Sequence, residues 1–162
     1  RSFGLLQALA AGEPLSPTAF GLSVHNAIAG QWSIIRRETD ESVALSAEED
    51  GLELAFLEAG LLLAEGHDNV LVVLAEERPP APYSPWIDDV PFSYAAAFRL
   101  RAGCDWRLEN SADPASRPDG TAADSAAPGW PNALNLLRHL ALRTPRWLHA
   151  NRGRHWLWTR SA

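Results

Sequence analysis

The most constraining feature of this 162-residue sequence is a long apolar stretch before the middle of the chain. Residues 48–65 are apolar around almost the whole helical circumference, which predicts a helix that is buried on most of its sides. Gly66 supplies the helix stop, and residues 69–75 (NVLVVLA) then have the character of a strand covered on both faces. Residues 42–46 (SVALS) favour a short strand before the helix. Strand, helix and strand in this order predict a βαβ unit with parallel pairing.

Weaker patterns predict the remaining elements. We expect helices at residues 3–11, 23–36 and 132–142, and strands at residues 93–101 and 155–159. Residues 110–129 collect Ser, Asp, Pro, Ala and Gly with almost nothing to bury, which predicts a surface or disordered loop. The expected fold class is α/β, with a mixed or parallel sheet flanked by helices, a buried central helix and a single domain over residues 1–162.

Charge is distributed unevenly along the chain. Fourteen basic and 20 acidic residues give a net charge of −6, which argues against a general attraction to nucleic acid or anionic lipid. All the basic residues are arginines, and six of them lie in residues 131–162, where no acidic residue occurs. The body of the chain is therefore acidic and its tail is basic.

Several classes of protein are disfavoured by what the sequence lacks. The single cysteine, Cys104, excludes an intramolecular disulfide and suits a reducing compartment, so we expect a cytoplasmic protein. The apolar runs are too short to span a bilayer. The five histidines have no zinc-type spacing and no cysteine pair, so we expect no metal and no cofactor. Position 1 is not methionine, and we expect the chain to begin inside a longer gene product.

Residues 16–66 carry the most specific pattern in the chain, from SPTAFGLSVHNAIAGQWSI to the apolar helix. This segment resembles β-ketoacyl synthases of the thiolase-like group, in which an Asn-Ala-Gly helix precedes a strand, a nucleophile turn and a buried helix. Asn26 and Gly30 match the first of these elements, and Leu52 and Leu57 match the last. The resemblance implies a partial thiolase-like fold, because residues beyond 102 leave the family pattern.

The nucleophile turn of that family reads approximately Thr-Ala-Cys-Ser-Ser-Ser-Leu. With Leu52 as the anchor, Ser46 falls on the threonine and Glu48 falls on the cysteine. A helix N-terminus lowers the pKa of a thiol and also stabilises a carboxylate. A carboxylate, however, cannot form the thioester that condensation needs. The resemblance therefore implies a subunit without a catalytic residue of its own. On spacing alone, Glu48 would be an ordinary acidic residue in a first helical turn, where a favourable charge stabilises the helix by about 0.3 to 1 kcal/mol.

A closer resemblance is to truncated ketosynthase N-terminal-domain proteins of the chain-length-factor type, found beside aryl-polyene, pigment and fatty-acid genes. The stretches SVHNAIAGQWSI and TPRWLHANRGRHWLWTR both look like that group. The resemblance implies a heterodimer with a catalytic ketosynthase subunit that works on chains bound to an acyl carrier protein. The residues it places at the interface or the acyl tunnel are Ser23, His25, Asn26, Gln31, Trp32 and Ser46.

Two other functions stay open at this point. Arginines and tryptophans alternate in the tail, a mixture that can neutralise phosphates and stack bases in a nucleic-acid-binding module. The same residues suit a half-buried strand, with a basic patch that docks an acidic carrier protein. A degenerate acyltransferase that accepts an acyl group on Glu48 or Cys104 is the third hypothesis. A Ser23–His25–Glu48 hydrolase is disfavoured, because no Gly-x-Ser-x-Gly elbow exists.

Overall fold

The computed structural model describes residues 2–48, 50–83, 85–87, 90–111 and 130–161. It divides the chain into two compact units, Arg1–Ser46 and Ala47–Ala162. The first unit contains helices α1 (Ser2–Ala10), α2 (Pro17–Gly21) and α3 (Ala27–Arg36), and no residue of these three helices is buried. The predicted helices at 3–11 and 23–36 are confirmed as α1 and α3, although α3 begins four residues later than predicted.

Two details of the first unit differ from the sequence-based expectation. Helix α2 was not predicted, and Pro17 occupies its first turn, where a missing N–H costs nothing. The Ser16 side chain caps that helix by accepting a hydrogen bond from the Ala19 N–H at 3.3 Å. The strand predicted at residues 42–46 is wrong: this segment has no strand pairing, because no described strand offers it backbone partners.

The second unit holds the remaining helices and all the described strands. Its elements are α4 (Gly51–Ala64), β1 (Val70–Glu76), a 3₁₀ turn (Ala81–Tyr83), β2 (Tyr94–Leu100), β3 (Trp106–Ser111), α5 (Asn132–Ala141), β4 (Arg146–Asn151) and β5 (Arg154–Arg160). Strands β1 and β2 form one antiparallel sheet, in which Val72 lies opposite Phe98. The order β3–β5–β4 forms a second antiparallel sheet.

The α/β class is confirmed, whereas the predicted parallel βαβ unit is wrong. Every pairing between described strands is antiparallel, because β1 pairs with β2, which follows it in the chain, and residues 42–46 are not a strand. The predicted strands at 69–75, 93–101 and 155–159 correspond to β1, β2 and β5. Strands β3 and β4 were not predicted.

Helix α4 joins the two sheets in one hydrophobic core. Its Phe56 ring meets the Phe98 ring of β2 edge-on at 5.4 Å and the Trp158 ring of β5 at 5.2 Å. The core also takes in Leu52 and Ala59 of α4, Val72, Ala96, Ala133, Leu136 and Trp147. The prediction that α4 is buried on most of its sides is wrong, since Leu57 and Leu61 are more than half exposed.

The predicted covering of β1 on both faces is also wrong, because Leu71 and Val73 on its outer face are 58% and 60% exposed.

Of the predicted loop at 110–129, residues 110 and 111 belong to β3, and the remainder lies outside the described residues. Helix α5 confirms the helix predicted at 132–142. Within the described residues, no helix is both long and apolar enough to cross a bilayer.

Candidate functional site

The start of α4 carries two carboxylates that are completely buried. Asp50 directly precedes the helix and Glu53 lies in its first turn, and both are 0% exposed. The unpaired N–H groups of a helix N-terminus favour negative charge at these positions. Burying a carboxylate is nevertheless costly unless several donors reach it, so the partners of these two residues determine whether the site is stable.

Glu53 receives its hydrogen bonds from neutral donors on two other elements. The side-chain amide of Asn132, the first residue of α5, lies 3.0 and 2.8 Å from the two carboxylate oxygens. The indole N–H of Trp158 on β5 donates to Oε1 at 3.2 Å. The single carboxylate therefore ties α4 to both α5 and β5.

Asp50 is held by the same strand. The Nε atom of Arg154 lies 2.7 Å from Asp50 Oδ2, and the Trp156 indole N–H donates to the same oxygen at 3.3 Å. Side chains two residues apart on a strand share one face, so Arg154, Trp156 and Trp158 all point towards the start of α4. The alternation of HWLWT thus serves to bind two buried acids.

Glu48, the position that the resemblance aligns with the nucleophile, lies at a bend before α4 and has a different environment. Its carboxylate Oε2 forms an ion pair with Arg152 Nη1 at 2.6 Å, and the two side chains are 59% and 65% exposed. Arg152 and Gly153, with φ values of 44° and 84°, form the two-residue turn between β4 and β5. We call Arg152 and Arg154 the arginine clamp, because Arg152 pairs with Glu48 and Arg154 pairs with Asp50.

The other residues expected at an interface or tunnel lie in the first unit. Ser23, His25 and Asn26 fall in the turn between α2 and α3, where the Ser23 hydroxyl donates to the Phe20 carbonyl at 2.7 Å. Gln31 and Trp32 lie on α3, and Ser46 ends the unit. All of these side chains are exposed except that of Ser23, which is half-buried.

Trp32 has the most defined environment of this group. Its indole N–H donates to Glu38 Oε2 at 2.8 Å, and the Arg36 guanidinium lies 5.3 Å from the ring centroid. The ring is nevertheless 52% exposed. Its position is therefore fixed while much of its surface remains available for contact.

Sequence reasoning missed the buried network around Asp50 and Glu53. An acidic residue in a first helical turn looks the same in sequence whether it is exposed or buried. The available signal was in the tail: a buried indole N–H needs an acceptor, and the predicted strand HWLWT contains two indoles. Nothing in the sequence identified which acceptors they use.

The base-stacking role considered for the tail is wrong. Trp147, Trp156 and Trp158 are 2%, 4% and 3% exposed, so their faces are unavailable to nucleic-acid bases. Trp147 instead stacks on His139 at 4.4 Å and on Trp158 at 5.4 Å.

Cys104 is exposed between β2 and β3. In the part of the chain that the structure describes, no group of three or more His, Cys, Asp or Glu residues is placed to hold a metal ion.

Comparison with known proteins identifies the family. The sequence pattern of the family described as β-ketoacyl synthase, N-terminal domain, matches residues 1–159, so the expectation that residues beyond 102 leave the family pattern is wrong. Among solved structures, this chain resembles a chain in the structure of the ketosynthase ApeO in complex with its chain length factor ApeC from Xenorhabdus doucetiae. The two chains share 27% sequence identity, with a TM-score of 0.82. That match covers 98% of this chain and 63% of the other chain. No curated protein matches the sequence. The thiolase-like kinship is therefore confirmed, and this chain belongs to the β-ketoacyl synthase N-terminal-domain family.

Proposed function

We propose that this protein is a non-catalytic, chain-length-factor-like subunit that pairs with a catalytic β-ketoacyl synthase. The pair would extend acyl chains of the aryl-polyene type while they are bound to an acyl carrier protein in the cytoplasm. The observation that carries the proposal is the match of nearly the whole chain to a structure of a ketosynthase with its chain length factor. The single cysteine supports the reducing compartment.

The chemistry of residue 48 supports a non-catalytic role. A condensing enzyme needs a nucleophile that takes an acyl group from a thioester and then releases it to a carbanion. Glu48 offers an ionic carboxylate that already pairs with Arg152 at 2.6 Å, and a carboxylate so paired is a poor nucleophile. Its acyl derivative would also be an anhydride rather than a thioester. We therefore assign Glu48 to the shape and charge of the site rather than to bond formation.

The residues around α3, all exposed except the half-buried Ser23, support the pairing surface. Ser23, His25, Asn26, Gln31 and Trp32 form our proposed contact region, with Ser46 beside the nucleophile-equivalent turn in sequence. A Trp32 ring that is already held by Glu38 and Arg36 would lose little side-chain entropy on binding. Aromatic residues of this kind are common anchors of protein interfaces.

Co-expression with a catalytic ketosynthase from the same gene neighbourhood tests the pairing. The two chains should co-purify in a constant ratio, and Trp32→Ala should weaken the complex by at least about tenfold in affinity. Trp86→Ala, which removes another exposed tryptophan from a different unit, is the matched control. If the wild-type chains migrate separately at micromolar concentration, the proposed function is wrong.

The non-catalytic assignment has its own test. Incubation of the complex with acyl-loaded carrier protein, followed by intact-mass measurement, should show an adduct on the catalytic subunit and none on this chain. Glu48→Gln should preserve the complex but change the length or the amount of the product. Glu109→Gln is a suitable control, because Glu109 forms a comparably exposed ion pair with Arg107 at 3.0 Å. An acyl adduct on this chain would contradict the assignment.

A further inference from the structure

We propose that Arg152 is a positioning residue that influences product length by holding and neutralising the carboxylate of Glu48. This inference rests on the proposed function and deepens it, since it names the residue that sets the charge at the nucleophile-equivalent position. Arg152 lies in the two-residue turn between β4 and β5, and its Nη1 atom lies 2.6 Å from Glu48 Oε2. The two residues are 104 positions apart in the sequence.

The arginine clamp contacts the segment before α4 at two points that differ in burial. Asp50 is 0% exposed, and its Oδ2 atom is contacted by Arg154 and by the Trp156 indole N–H, so burial of this carboxylate depends on both donors. The side chains of Glu48 and Arg152 are 59% and 65% exposed, so solvent screens their attraction and the pair contributes little to stability. The effect of the outer pair is therefore on the position and charge of Glu48.

The backbone on both sides of the outer pair has a defined conformation. Strands β4 and β5 are paired up to the turn, so only Arg152 and Gly153 separate them. These two residues have φ values of 44° and 84°, as a tight two-residue hairpin turn requires. The Glu48 carbonyl accepts a hydrogen bond from the Gly51 N–H at 3.0 Å. The ion pair thus joins two fixed points and gives the carboxylate one preferred direction.

The charge of the pair has its largest effect where a partner subunit covers Glu48. An unpaired carboxylate that loses bulk water retains its hydration water, because burying the bare charge costs much free energy. That water excludes apolar groups from the space around the carboxylate. A carboxylate paired with a guanidinium forms a neutral unit whose hydrogen bonds are already made, and an apolar acyl chain can approach it closely. Loss of either charge alone should therefore shorten the product.

Product length in the complex with a catalytic ketosynthase, supplied with acyl-loaded carrier protein, tests this role. Arg152→Gly removes the cation from a backbone conformation that suits glycine, so the melting temperature should not fall. The share of the longest product should decrease by about threefold or more. Arg152→Lys keeps the charge and should restore most of that share. Arg107→Ala, which removes the exposed partner of Glu109, is the control and should leave the product unchanged.

A double-mutant cycle determines whether Arg152 acts through Glu48. Glu48→Gln and Arg152→Gly each leave one charge unpaired, and each should shorten the product. The double variant carries neither charge, so its product should be closer to that of the wild type than the product of either single variant. A role of Arg152 in the fold alone would lower the melting temperature without this recovery, and that result would overturn the proposal.

The remaining outcomes separate the role of Arg152 from the pairing of the subunits. Wild-type product length in Arg152→Gly, or purely additive effects in the double variant, would overturn the positioning role while co-purification still upholds the proposed function. Loss of co-purification in Arg152→Gly would assign the residue to the pairing surface and would also overturn the proposal. Wild-type chains that fail to co-purify would contradict the proposed function itself, and the role of Arg152 with it.

Discussion

The start of α4 and the bend just before it contain acids of opposite character. Glu48 at the bend is 59% exposed in its side chain and forms one ion pair, whereas Asp50 and Glu53 are completely buried and receive hydrogen bonds from two other elements, α5 and β5. Acids only a few residues apart thus serve different purposes. The buried pair holds the fold together, and the exposed acid is the residue that we propose at the nucleophile-equivalent position. A residue that contributes little to stability is free to change with function.

The largest expected effect is at Glu53. Glu53→Ala would leave the Asn132 amide and the Trp158 indole without their shared acceptor in a buried site, which should cost about 3 kcal/mol or more in the free energy of unfolding. Urea denaturation measures this change. Glu53→Gln keeps one acceptor oxygen and should cost less. Glu58→Ala, at a half-buried position on the same helix, is the control, and an equal loss there would remove the distinction between the completely buried acids and the other acids.

A smaller effect is expected from the arginine clamp. Arg154→Ala leaves Asp50 buried without its cation, which should cost about 2 to 3 kcal/mol, reduced because the Arg154 side chain is 47% exposed. Adding Asp50→Asn to that variant should recover part of the loss, because a neutral amide tolerates burial better than an unpaired carboxylate. Thermal unfolding of the two single variants and the double variant gives the coupling energy. Purely additive effects would mean that the pair does not interact.

The smallest effect on stability is expected at the bend. Glu48→Gln should change the free energy of unfolding by less than about 1 kcal/mol, because both partners of its ion pair are mostly exposed and screened by solvent. The same substitution at Glu109 should have a similar small effect. A loss at Glu48 as large as that expected at Glu53 would show that the bend is part of the core and that the two kinds of acid do not differ.

Local patterns in the sequence predicted the elements whose hydrophobic period is clear. Helix α4 and strand β1 follow from runs of apolar residues, and α5 follows from its amphipathic spacing. The partner of β1 did not follow, because strand pairing depends on residues far away in the chain, and residues 42–46 have β-favouring composition without any described partner strand. Propensity within a short segment cannot decide whether a second strand will lie beside it.

The site was predicted in the same uneven way. Glu48 was proposed from its alignment with the nucleophile turn of the family, and its role in the site remains a prediction. Asp50 and Glu53 were not found, since their burial is produced by β5 and α5 from the other end of the chain. The tail was interpreted from its composition, but the strand register of β5 determines which way its side chains point. Trp156 and Trp158 face the buried acids instead of the solvent.

The hydrogen bonds between the start of α4 and the β4–β5 hairpin have a consequence for synthesis. They join residues 104 to 106 positions apart, so none of them can form before residues 152–158 have been translated. Contacts of such long range also slow folding, because a large loop must close first. A nascent chain would therefore carry these acids unpaired until β5 has been made. A strand that is translated long after α4 is the one that locks this helix of the core.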